Sequence, residues 1–122
     1  MTASENTLAS GKFFRFWSAA NEPRAVVLIS HGLGEHSGRY EHVAAALTAD
    51  NLHVYALDHI GHGKSPGKPA YIDRFSDLTS GVSELRDHIR RHHAGLPVIL
   101  IGHSMGGLIA IRLALGAHAD YA

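Results

Sequence analysis

Short continuous runs of apolar residues recur along this chain, separated by segments whose apolar positions have helical spacing. Two such runs, Ala25–Ser30 and Leu52–Leu57, have the length of a β-strand. Their continuity is typical of parallel strands that are covered on both faces. A third run, Pro97–Ile101, predicts another strand of this type. The aromatic-rich segment Lys12–Ser18 predicts a further strand, which we expect to pair with residues near Thr7–Ala9.

Helical spacing predicts three helices between and after these strands. Apolar residues recur at this spacing from Tyr40 to about Asp50, and again from about Asp73 to His92. The third helix contains Leu108–Leu115 and is apolar almost all round. A helix of this kind belongs in the interior of a larger protein.

The alternation of strands and helices predicts an α/β fold with a mostly parallel sheet and flanking helices. A loop rich in glycine and proline is expected over Asp58–Pro69. The chain has 122 residues, which is enough for one small domain. We therefore expect residues 1–122 to form a single α/β domain.

The strongest candidate for chemistry is the pentapeptide Gly102-His103-Ser104-Met105-Gly106. It lies between an expected strand and an expected helix, which is the context of a nucleophile elbow. In such an elbow the serine has a strained backbone at the tip of a sharp turn, and Gly102 and Gly106 avoid collisions with neighbouring backbone. Gly107 is expected to add room for close packing. We predict that Ser104 is a nucleophile.

Acyl transfer at such a serine requires two N–H donors for the developing oxyanion. In the elbow design one donor is the amide of the residue after the serine, which is Met105 here. The other comes from the turn between a strand and the first helix, where the sequence is His31-Gly32-Leu33-Gly34. The glycines on both sides of Leu33 allow its amide to turn into the site. We predict an oxyanion hole formed by the backbone amides of Leu33 and Met105.

Three motifs together resemble those of the monoacylglycerol lipase and lysophospholipase group of α/β-hydrolases, which is often catalogued with the S33-type serine aminopeptidases. They are the segment His31–Tyr40, the segment Asp58–Ser65 and the elbow with Gly107. Their order and spacing match the family over about residues 11–116. The resemblance implies that Ser104 is the nucleophile, with Leu33 and Met105 at the oxyanion. It also implies that the Asp58–Ser65 loop is a scaffold element.

The remainder of a catalytic triad does not follow the serine in the usual order. A hydrolase of this design has its acid and then its histidine after the nucleophile. Here the candidates after Ser104 are His118 and Asp120, in reversed order and beyond a helix that separates them from the elbow by about 18 Å. We therefore expect residues 1–122 to be an N-terminal portion, a partial domain lacking the lid and the C-terminal half. Alone, it is expected to be inactive.

Other interpretations of the same residues explain less. Gly32, Gly34 and Gly38 miss the spacing of a dinucleotide-binding fingerprint by one residue, and the elbow would be left without a role. The Gly63–Ser65 segment lacks the first glycine of a phosphate-binding loop. A metal site at His88 and His92 is disfavoured by the surrounding arginines, which indicate a solvated helix face. We expect no metal and no cofactor.

Two histidines near the elbow could act as bases or as structural residues. His31 ends a strand, and the side chain of His103 is expected to point away from Ser104 because of the geometry of the turn. We favour a packed or hydrogen-bonded role for both.

Composition and charge exclude several classes of function. Lys plus Arg and Asp plus Glu each total 11, so no net charge favours nucleic acid or an anionic membrane. The absence of cysteine excludes disulfides, zinc–thiolate sites and a cysteine nucleophile. The first ten residues lack the pattern of a signal peptide, and no apolar stretch is long enough for a membrane span. A cytoplasmic location is expected.

Two functions remain as hypotheses. The first is a serine carboxylic-ester hydrolase that acts through an acyl-enzyme on a small lipid or ester, with acylglycerols or lysophospholipids implied by the resemblance. Its partner would be a separate or missing C-terminal half. The second is a non-catalytic binding or interaction module, or an inactive fragment, built on a hydrolase fold.

Overall fold

The computed structural model describes residues 3–117 and 121–122. Its strands are β1 (Ser4–Thr7), β2 (Phe13–Trp17), β3 (Ala25–Ser30), β4 (Leu52–Leu57) and β5 (Val98–Gly102). Its helices are α1 (Glu41–Ala49), α2 (Phe75–His92) and α3 (Met105–Ala117), with a 3-10 helix at Ser37–Tyr40 directly before α1.

The five strands form one mixed sheet in the order β1-β2-β4-β3-β5. Strand β3 pairs in parallel with β4 on one side and β5 on the other, whereas β2 is antiparallel to both β1 and β4. Because β2 is the one reversed strand among the five, the sheet remains mostly parallel in direction. The predicted α/β fold is confirmed.

Both faces of the central strands are covered, as their continuous apolar sequences predict. Along β3, Val26 and Leu28 point towards α2 and α3, and Val27 and Ile29 point towards α1. Helix α2 packs through the buried side chains of Leu78, Val82, Leu85 and Ile89, the apolar stripe predicted from its spacing.

One predicted boundary is corrected. The partner of β2 is Ser4–Thr7 rather than Thr7–Ala9, because Leu8 and Gly11 form the hydrogen-bonded turn between the strands. Helix α3 begins at Met105, directly after Ser104, as the elbow predicts. None of the helices within the described residues combines the length and the hydropathy that crossing a bilayer requires.

Candidate active site

Ser104 lies at the tip of the turn that joins β5 to α3. Its φ is 58°, a left-handed conformation that is uncommon for a residue with a side chain. The ladder between β3 and β5 continues into this turn, because the His103 N–H donates to the Ser30 carbonyl oxygen at 3.1 Å. Ser104 is exposed to solvent. The predicted strained conformation between a strand and a helix is therefore confirmed.

Two glycines allow α3 to start this close to the sheet. A Cβ on Gly106 would overlap the carbonyl oxygen of Ser30, and a Cβ on Gly102 would overlap that of Gly106. A Cβ on Gly107 would instead lie 3.6 Å from its nearest neighbour, the carbonyl oxygen of Gly102, which is an ordinary contact. The collisions predicted for Gly102 and Gly106 are present, whereas Gly107 is not needed for close packing.

The turn after β3 packs directly against the elbow. A Cβ on Gly32 would lie 3.2 Å from the Ser104 Cβ and 3.2 Å from the His103 carbonyl oxygen. Leu33 follows with a side chain that is 58% exposed, and Gly34 has a φ of 78°. The structure thus brings the two predicted segments of the oxyanion hole together. The roles of the Leu33 and Met105 amides stay a prediction.

A carboxylate for which the sequence predicts no role occupies this junction. Glu35 Oε1 accepts hydrogen bonds from the Gly32 N–H and from the Tyr40 hydroxyl, each at 2.8 Å. The same oxygen lies 3.3 Å from His103 Nδ1. The hydrogen bond from Gly32 lowers the pKa of Glu35 to about 2. Its one signal in the sequence is an acidic residue beside the glycines of the turn.

His31 has a structural role. It is buried, its Nδ1 lies 2.7 Å from the Gly32 carbonyl oxygen, and its Nε2 accepts from the His59 N–H at 3.0 Å. These contacts require the neutral ring with the proton on Nδ1, and burial lowers the pKa of His31. Both ring nitrogens are therefore in use. The exposed side chain of His103 extends towards Glu35.

The Asp58–Ser65 loop is held by a buried carboxylate. Asp58 accepts from the Ser37 N–H at 2.6 Å and from the Lys64 N–H at 2.9 Å, and Arg15 Nη1 lies 3.9 Å away. A Cβ on Gly63 would overlap the carboxylate itself. These contacts satisfy Asp58 within the scaffold, which agrees with the structural role implied by the resemblance.

Two other features lie away from the elbow. The cavity bordered by Arg90 and Val98, about 500 Å³ in volume, lies at the opposite end of β5 from Ser104. The rings of His88 and His92 are stacked 4.0 Å apart, and His92 Nδ1 lies 2.9 Å from the His88 carbonyl oxygen. Within residues 3–117 and 121–122, no group of three or more side chains is placed to hold a metal ion.

The candidate partners that follow Ser104 in sequence, His118 and Asp120, lie outside the described residues. Across the part of the chain that is described, no side chain is hydrogen-bonded to the Ser104 hydroxyl.

The family model and the most similar relatives indicate the same family. Residues 21–122 match the model of the family described as serine aminopeptidase, S33. The monoglyceride lipase of Homo sapiens is 45% identical over 102 residues, covering 84% of this chain and 34% of that protein. The monoacylglycerol lipase of Mycolicibacterium smegmatis is 45% identical over 101 residues, covering 83% of this chain and 35% of that protein.

Solved structures agree with the sequence matches. The monoacylglycerol lipase of Paleococcus ferrophilus superposes with a TM-score of 0.75 at 30% identity, over 99% of this chain and 40% of that chain. The chain spans about a third of the length of the curated relatives it matches. Together with the elbow and its packing, these matches show that the chain belongs to the S33 serine aminopeptidase family of α/β-hydrolases.

Proposed function

We propose that this chain carries the nucleophile of a carboxylic-ester hydrolase, with Ser104 as the attacking residue. The observation that carries the proposal is the exposed, left-handed Ser104 at the tip of the β5–α3 turn. A strained serine presented between a strand and a helix is the arrangement by which elbow hydrolases expose their nucleophile. Membership of a hydrolase family supports the same chemistry.

The reaction consists of two acyl transfers. Ser104 Oγ attacks the ester carbonyl carbon while a general base takes its proton, and the carbonyl oxygen becomes the oxyanion. The C–O bond to the alcohol then breaks, and the alcohol leaves with that proton. Water attacks the resulting acyl-enzyme in the same way and releases the carboxylic acid and free Ser104.

The amides of Leu33 and Met105 are the proposed donors to the oxyanion. Met105 begins α3, so its N–H belongs to the first turn, which has no acceptor within the helix. The Gly32 N–H is taken by Glu35, which leaves the Leu33 N–H as the next amide of the turn. Within the described residues neither the Leu33 nor the Met105 amide has a hydrogen-bond acceptor. Both are therefore free to bind a developing charge.

The proposed substrates are acylglycerols or lysophospholipids. The choice of acylglycerols rests on the relatives, which are named monoglyceride and monoacylglycerol lipases, and that of lysophospholipids rests on the resemblance of the three sequence motifs. The proposed location is the cytoplasm, and the proposed partner is further polypeptide that completes the hydrolase fold.

The test is hydrolysis by the full-length product of the gene that encodes residues 1–122. It is measured with p-nitrophenyl butyrate, a monoacylglycerol and a lysophospholipid. Ser104→Ala is expected to lower kcat by about three orders of magnitude or more, because it removes the attacking oxygen. Oxyanion and binding effects would leave a residual rate. Ser76→Ala, at an exposed position on α2, is the matched control. Hydrolysis that survives Ser104→Ala would refute the proposal.

The second candidate is a non-catalytic binding module on the same fold. It is favoured by one observation, which is that no described side chain is hydrogen-bonded to the Ser104 hydroxyl. The same assay separates the two functions. A well-folded gene product that binds a monoacylglycerol without hydrolysing it would support the module.

A further inference from the structure

The carboxylate of Glu35 joins three separate parts of the site. It accepts from the backbone of the turn after β3 at Gly32, from the hydroxyl of Tyr40 at the end of the 3-10 helix, and it approaches the ring of His103 in the elbow. Its side chain is 16% exposed. One group thus contacts both segments that the oxyanion hole requires, although 68 residues separate Glu35 from His103 in sequence.

The position of Gly32 shows why this contact matters. Its backbone is confined between the carboxylate and the elbow, because a Cβ there would lie 3.2 Å from Glu35 Oε1, from the His103 carbonyl oxygen and from the Ser104 Cβ. The hydrogen bond from the Gly32 N–H to Glu35 fixes the orientation of that peptide. The next peptide carries the Leu33 N–H, and its carbonyl oxygen, that of Gly32, accepts from the Glu35 N–H at 3.2 Å and lies 2.7 Å from His31 Nδ1.

The charge of Glu35 strengthens this hold. Hydrogen bonds to a charged acceptor are about twice as strong as those between neutral groups. The hydrogen bond from Gly32 keeps the pKa of Glu35 far below neutral, at about 2. Arg39, with its Nε 3.8 Å from Glu35 Oε2, adds a favourable positive charge. Glu35 is therefore a carboxylate throughout the range in which an esterase would be assayed.

We propose that Glu35 is a positioning residue, which holds the Gly32–Leu33 turn against the nucleophile elbow so that the Leu33 N–H faces the oxyanion. It takes no part in bond making. The inference rests on the proposed function of Ser104, and it adds a residue to the machinery that this function requires.

The test compares four variants of the full-length gene product. Glu35→Ala removes every contact, Glu35→Gln keeps an acceptor oxygen for the Gly32 N–H, and Tyr40→Phe removes one donor to the carboxylate. Glu22→Gln is the control, because it removes the same charge at an exposed turn. The readouts are kcat and KM with p-nitrophenyl butyrate, together with hydrogen exchange of the amides of residues 31–35.

Loss of a whole oxyanion donor typically lowers kcat by about 10²–10³. Glu35→Ala is expected to lower kcat by about 10²-fold while KM changes by less than about threefold, since the donor acts on the transition state rather than the bound ester. Glu35→Gln is expected to restore kcat to within about tenfold of the parent. Exchange of the Gly32 and Leu33 amides should accelerate in the order Glu22→Gln, Glu35→Gln, Glu35→Ala.

The outcomes separate this inference from the function on which it rests. If Ser104→Ala abolishes hydrolysis and Glu35→Ala leaves kcat unchanged, the positioning role is wrong and the nucleophile stands. Equal losses in kcat for Glu35→Gln and Glu35→Ala would also overturn it, because the acceptor oxygen would then not matter. If hydrolysis does not depend on Ser104, the exchange rates alone decide whether Glu35 orders the turn, and unchanged exchange would refute it.

Discussion

At the scale of single residues, the close approach of α3 to the sheet depends on the absence of a side chain at one position. Gly106 lies against the carbonyl oxygen of Ser30, which belongs to the central strand β3. Backbone atoms of a strand that is paired on both sides cannot move without breaking the ladder. A side chain at Gly106 therefore has no space to occupy, whereas the adjacent Gly107 has ordinary clearance.

This difference predicts opposite effects for two neighbouring substitutions. Gly106→Ala should lower the free energy of unfolding by about 2–3 kcal/mol or more, because the added methyl group displaces backbone. Gly107→Ala is expected to be neutral or to add about 0.5–1 kcal/mol, the usual gain of alanine over glycine within a helix. Urea denaturation of the two variants beside the parent protein is the measurement. Similar midpoints for both variants would contradict the assigned packing of Gly106.

At the scale of elements, the sequence predicts those segments whose own side chains are buried. The bounds of β3 and β4 agree with their apolar runs to the residue. The bounds of strand β1 could not be predicted from an apolar pattern. Its sequence, Ser-Glu-Asn-Thr, is exposed at all four positions and is held by the backbone ladder alone. Helix α3 includes Gly106 and Gly107 despite their low helix propensity, because tertiary packing overrides it here.

The same distinction separates the predicted and the missed parts of the site. The conformation of Ser104 follows from a local pattern, since the glycines and the adjoining strand and helix are neighbours in sequence. The contacts of Glu35 with the elbow span a long separation and depend on how the strands are ordered in the sheet. No local pattern specifies them. Long-range polar contacts of this kind can therefore be identified only from the structure.

Helix α3 carries the clearest prediction at the element scale. Its buried residues Ile109 and Leu113 pack against the core, whereas Leu108, Ile111 and Leu115 are 61%, 61% and 79% exposed. Burying a few hundred Å² of apolar surface, at about 25 cal/mol per Å², would contribute several kcal/mol to the free energy of unfolding. Residues 1–122 produced alone should therefore bind hydrophobic dyes and self-associate with rising concentration.

A pair of variants tests whether α3 is responsible. Ile111→Lys combined with Leu115→Lys should reduce dye binding and shift sedimentation towards the monomer. Ser80→Lys adds a positive charge to an exposed position of α2 and should leave both unchanged. A parent polypeptide that stays monomeric and unfolds cooperatively at high concentration would contradict the prediction and favour the stand-alone module.

At the scale of the whole molecule, two members of a group of buried histidines, His31 and His59, link stability to pH. His31, His59 and His62 are buried beside the ends of β3 and β4, with ring centroids 4.3 Å apart for His31 and His59 and 5.2 Å apart for His31 and His62. Burial lowers the pKa of His59 to about 3, and it lowers the pKa of His31 as well. The nearby carboxylates of Asp58 and, at His31, Glu35 oppose this effect without reversing it.

The sign of the pH dependence follows from which state binds the proton. Above about pH 6.5, the ordinary pKa of histidine, the side chains of His31 and His59 are neutral in both states and cause no loss of stability. Below that pH the unfolded chain takes up protons that the folded state excludes, so stability falls as the pH decreases towards 3. Each fully excluded proton contributes about 1.4 kcal/mol per pH unit. Glu35 adds to the loss only below its ordinary pKa of about 4.3, as the pH approaches 2.

We therefore expect the urea midpoint of the full-length gene product to decrease between pH 7.5 and pH 5.0, and His59→Gln to make that decrease smaller. Glutamine keeps a polar group near Ser30 Oγ, which lies 3.1 Å from His59 Nε2, but it cannot be protonated. The substitution can also lower stability at neutral pH through altered packing. The quantity to compare is therefore the change of the urea midpoint with pH. His42→Gln, at an exposed position of α1, is the matched control and should leave the slope unchanged. Equal slopes for the parent and both variants would show that the buried histidines do not govern the response to acid.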